Sequence, residues 1–96
     1  MTSPVNVTII DKEMVPGLKF PAKEVLSSEK DVKERNAELE RALKLGNLEH
    51  NKISLVFEDN EGLKQVNTTI WSLTDKLVIL KKGMVIPINR IHFVKI

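Results

Sequence analysis

The residues able to do acid–base, nucleophilic or metal chemistry are few and scattered. His50 and His92 are the only histidines. Neither has a second histidine or cysteine at the short spacing that lets two ligands meet one ion, and only a fold that gathered both beside a carboxylate such as Glu49 would build a metal site. Cysteine is absent, which removes disulfides, thiolate zinc sites, iron–sulfur clusters and a cysteine nucleophile together. Ser54 and Ser72 fall within strand-like segments, with no Gly-x-Ser-x-Gly elbow. Glu58, Asp59 and Glu61 cluster in a turn, where water solvates them. The four glycines, Gly17, Gly46, Gly62 and Gly83, each stand at a suspected turn or cap, so no loop is left to cradle a phosphate. The expectation is a protein that is not an enzyme, holds no metal and takes no cofactor.

Binding chemistry is better represented. Trp71 is the lone tryptophan, on a segment where Val66, Thr68, Ile70 and Ser72 alternate with Gln65, Asn67, Thr69, Trp71 and Leu73. The first set carries two aliphatics and is expected to face the core, which places Trp71 outside. An exposed indole stacks a base for ~1–3 kcal/mol. Lys64, Lys76, Lys81, Lys82 and Arg90 sit at strand ends and turns, within reach of phosphates. The competing arrangement packs Trp71 under the N-terminal helix, beneath Val32, Leu39 and Leu43. It is the expected one, because so small a domain offers the helix few other apolar surfaces. If the chain does bind a partner, the candidate surface is Lys64, Trp71, Lys76, Arg90 and His92, and the partner is a protein or single-stranded RNA.

Self-association is the other possibility. Ile91, Phe93 and Val94 lie on a terminal strand, which either closes a barrel or offers its backbone edge to a partner or a second copy. The helix is a further docking element, with Lys33, Glu34, Arg35, Glu38 and Arg41 on a charged face.

These residues must be positioned by three blocks. Residues 1–26 hold three of the four prolines and read as an irregular arm, with one short strand possible over 5–10. Residues 27–46 read as a helix: Ser27 or Ser28 caps it, Glu29 and Asp31 suit its dipole, and Gly46 stops it. Residues 51–96 read as consecutive short strands. They run over 52–58 and 64–73, then a continuous apolar run at 77–80 suggesting burial on both faces. Residues 84–88 follow, with Pro87 at an edge or bend, and 91–96 close the chain. The expected core is Leu55, Phe57, Ile70, Leu77, Ile79, Ile86 and Ile88.

Ninety-six residues make one small domain. The chain is 42% hydrophobic and 29% charged, within the ordinary range for a globular chain. Its net charge of +2 is uneven, with the basic excess in residues 51–96. This permits a polyanion partner without marking one. No leader-like N-terminus and no run long enough to span a bilayer is evident, so a cytoplasmic protein without a membrane association is expected.

Residues 45–50, 57–66, 68–71 and 86–91 resemble a family of small uncharacterised bacterial proteins, found mainly in the Bacteroidetes. The order of elements, a helix followed by strands that curl, also resembles small Sm-like barrels, among them the Rho-binding antiterminators of the Rof family. The resemblance implies a mainly β fold: a five-stranded Sm-like barrel with one capping helix and a regulatory colour. Residues 27–96 are expected to form that domain.

Overall fold

The computed structural model describes residues 7–49 and 52–96. Residues 1–6, which include the start of the possible first strand, and His50 lie outside the described residues. Among the described residues, seven strands form two sheets beside one long helix, α1 (Glu29–Glu49). The larger sheet has the order β1 (Thr8–Ile10), β3 (Leu63–Thr68), β2 (Ile53–Glu58), β7 (Ile91–Lys95). In it β1 runs parallel to β3, and the other pairs are antiparallel. The smaller sheet is antiparallel, in the order β4 (Ile70–Leu73), β5 (Leu77–Leu80), β6 (Val85–Pro87).

Where a five-stranded Sm-like barrel is expected, seven strands among the described residues lie in two sheets that do not close into a barrel. The strand expected over 64–73 breaks at Thr69, so that Thr68 ends β3 and Ile70 begins β4 in the other sheet. At this corner the Thr69 carbonyl accepts from the Lys81 amide at 2.9 Å. Pro87 has no amide hydrogen to extend the smaller sheet, and it ends β6 on that sheet's edge. A single 3₁₀ turn, Ile88–Arg90, then carries the chain to β7, which among the described residues pairs with β2 alone.

Between the sheets lies one core. Ile53, Leu55 and Phe57 of β2 meet Val66, Ile91 and Val94, and Ile70, Val78, Leu80 and Ile86 come from the smaller sheet. Strand β5 alternates: Val78 and Leu80 are buried, whereas Leu77 and Ile79 are half-buried on the outer face. It is therefore covered on one face, and Leu77 and Ile79 are not core residues. Ile88 packs against the core from its margin.

Helix α1 runs through a segment rich in Glu, Lys, Leu and Ala, all good helix formers. The Ser28 hydroxyl caps it, accepting from the Asp31 amide at 3.1 Å. Arg35, Leu39, Ala42 and Gly46 are buried at the four-three-four spacing of one helical face. Gly46 does not stop the helix. It sits where α1 crosses β4, and a Cβ there would lie 3.0 Å from Thr69 Cγ2 and 3.2 Å from the Ile70 carbonyl. A side chain there would have to push Thr69 or the β4 backbone aside by a few tenths of an ångström, which sets the close approach against the roughly 1 kcal/mol that glycine costs in a helix.

The segment expected to be an irregular arm contributes to this core. Ile10 and Val15 are buried in it, and the Phe20 ring lies 5.9 Å from that of Phe57. Backbone bonds tie the segment down, from Asn60 N to Lys19 O and from Val25 N to Asn89 O, both at 2.9 Å.

Two substitutions test this packing by urea denaturation. Gly46→Leu forces α1 off β4 and is expected to cost about 1–3 kcal/mol. Thr68 is buried, and its hydroxyl has no hydrogen-bond partner among the described residues. Thr68→Val is therefore expected to stabilise by about 1 kcal/mol.

Candidate interaction surface

Strand β4 carries a bulge at its centre. Ile70 pairs with Leu80 and Ser72 with Ile79, which leaves Trp71 without a partner across the ladder. A bulge of this kind re-aims a side chain. Trp71 is 51% exposed, on the small sheet that also carries half-buried Ile79 and Val85, itself 42% exposed. The indole is thus not covered by the helix as expected. Leu39 and Ala42 of α1 are instead buried in the core, because Gly46 lets the helix seat against the backbone of β4.

The five candidate residues separate in the fold. Lys76 is exposed at the turn between β4 and β5, on the same sheet as Trp71. Lys64 lies on β3, and its ammonium sits 2.7 Å from Asp59 Oδ2 with only 14% of its side chain exposed. Arg90 is buried: its Nε donates to the Glu58 carbonyl at 3.0 Å and its Nη1 to the Lys23 carbonyl at 2.7 Å. His92 Nε2 is 2.9 Å from Glu58 Oε1. Three of the five are thus held by this chain's own acceptors; Trp71 and Lys76 belong to the small sheet and its turn, whereas Lys64 and His92 lie on the larger sheet.

Two polar junctions were not legible as such in the sequence. Arg35, assigned there to an exposed charged face, is 4% exposed. Its guanidinium grips the Glu24 carboxylate with two bonds, of 2.6 and 2.9 Å, and donates to the Ile91 carbonyl at 3.2 Å. Asp59, expected to be solvated in its turn, is 2% exposed. It accepts from the Glu61 and Gly62 amides at 2.9 and 3.1 Å as well as from Lys64. Burial works to raise the carboxyl pKa of both Glu24 and Asp59. Hydrogen bonds from Arg35 and from Lys64, respectively, together with backbone amides, outweigh it and hold both below the usual carboxylate range.

The arrangement offers contact chemistry. The Ser54 hydroxyl is engaged with Asn67 Oδ1 at 2.6 Å, not with a histidine. Among the described residues, no group of three or more His, Asp or Glu side chains is placed to hold a metal ion. No described helix is long and apolar enough to cross a membrane. No family model, curated protein or solved structure matches the chain.

The depressed carboxyls set an acid dependence. A carboxyl whose folded pKa lies below its unfolded value stabilises the fold above about pH 4, and that contribution is lost as pH falls through the folded pKa. Asp59→Asn is expected to lower stability at pH 7, because it leaves Lys64 without its buried partner. The gap to wild type should close below about pH 4, as read from urea midpoints across a pH series.

Proposed function

We propose that this chain is a non-enzymatic interaction module that binds a protein through the outer face of its small sheet. The observation that carries this reading is Trp71, 51% exposed at a bulge of the sheet that also carries exposed Val85 and half-buried Ile79. Binding energy in protein interfaces concentrates in such large aromatic anchors with an apolar surround and a polar rim. Lys76, Lys81 and Lys82, exposed at the two ends of β5, supply the rim. Protein is favoured over RNA because Lys64 and Arg90, two of the cations needed for phosphates, are held by Asp59 and by backbone carbonyls. The helix-then-strands order, with one 3₁₀ turn before the last strand, supports reading the fold as an opened relative of the Sm-like barrel. A regulatory role in the cytoplasm is the setting that the resemblance suggests.

A second reading, self-association through β7, is favoured by Phe93 and Ile96, 47% and 58% exposed on and after that edge strand. Sedimentation over a concentration series tests it, and a monomer throughout would remove it.

For the leading reading, a photo-crosslinking residue at Val85 should capture a defined partner in cells. Trp71→Ala should weaken binding of that purified partner by about tenfold or more while stability stays within about 0.5 kcal/mol of wild type. Unfolding on Trp71→Ala would place the indole in the core. A salt-sensitive quench of Trp71 fluorescence by single-stranded RNA would transfer the face to nucleic acid.

A further inference from the structure

A second surface lies on the opposite sheet, between β7 and α1. Strand β7 ends its sheet and, among the described residues, pairs only with β2. At its other edge the Ile91 carbonyl is met by Arg35 of α1. Among the described residues, 92–95 make no backbone hydrogen bond outside the β2 ladder. Beside this edge runs a groove of about 250 Å³, whose apolar wall is Leu26, Phe93 and Val94. Its other wall is α1, which lines it with Asp31, Glu34 and Glu38. Arg35 also reaches the groove, but Glu24 neutralises it. Glu38 has Arg41 at 3.2 Å, whereas Asp31 and Glu34 have no ion-pair partner among the described residues. Lys95 lies over the Phe93 ring at 5.7 Å, and His92 is held by Glu58.

We propose that this groove takes an extended, basic segment of a partner protein, which adds as a strand to the free edge of β7. The occupant follows from two features together. An unpaired strand edge supplies the backbone groups for strand addition. The carboxylate row selects the side chains by charge. From Asp31 to Glu38 the row spans about 10 Å at 1.5 Å per residue. Alternate side chains on an added strand stand about 7 Å apart. Two Lys or Arg residues at i and i+2 therefore fall within the length of the row, and the residue between them faces the other way.

The test is selection of the full chain against a random linear-peptide library, counter-selected with Glu34→Lys. Glu34 is exposed, so this variant is expected to fold, which its thermal melt verifies. The expected peptides carry Lys or Arg at alternating positions. They should bind Glu34→Lys about tenfold or more weakly, and weaken as salt rises. Amide shifts on binding should fall on residues 92–95. The proposal is overturned if no peptide distinguishes wild type from Glu34→Lys, if the selected peptides are acidic or neutral, or if the shifts lie elsewhere. It is also overturned if the chain dimerises and Glu34→Lys dissociates it, since a second copy then fills the groove. Peptides lost on Trp71→Ala but kept by Glu34→Lys would reject this groove and leave the Trp71 face standing.

Discussion

A guanidinium that is 4% exposed must find acceptors inside the protein, since an unpaired buried charge costs several kcal/mol. Arg35 finds them in the Glu24 carboxylate and the Ile91 carbonyl. One side chain of α1 thereby fixes the segment that precedes the helix and the strand that ends the chain. Arg90 repeats the device from β7's side, reaching the Lys23 and Glu58 carbonyls. Residues 23 and 24 are thus clasped by two buried arginines, and the irregular N-terminal stretch becomes part of the fold. Its apolar residues, Val15 above all, complete the core.

The second constraint is the crossing of α1 over β4. Gly46 removes the side chain that would hold the two backbones apart. The helix then rests on the edge strands β4 and β7, one from each sheet. This seating also decides which surfaces remain open. The outer face of the small sheet keeps Trp71 and Val85 exposed, and the far edge of β7 keeps a groove walled by helix carboxylates.

The two surfaces differ in chemistry. One is an aromatic and aliphatic face with lysines at its ends; the other is a strand edge beside an acidic helix. Apolar burial gives the first its affinity, while backbone pairing and charge give the second its selectivity.

Local pattern was enough for much of this architecture. The cap at Ser28, the alternation of Ile53, Leu55 and Phe57, the turn at residues 59–62 and the edge position of Pro87 are properties of a few neighbouring residues, and each is present. The outward placement of Trp71 was one of two arrangements the alternation allowed. Tertiary structure chose it, because the choice depends on where α1 lies, and that depends on a missing Cβ at Gly46 meeting a strand more than twenty residues away. The break at Thr69, the inward turn of Arg35 and the burial of Asp59 are likewise non-local. Each is decided by an acceptor or a packing partner distant in sequence, or by the desolvation that the assembled core imposes. Periodicity within a segment carries no record of such partners.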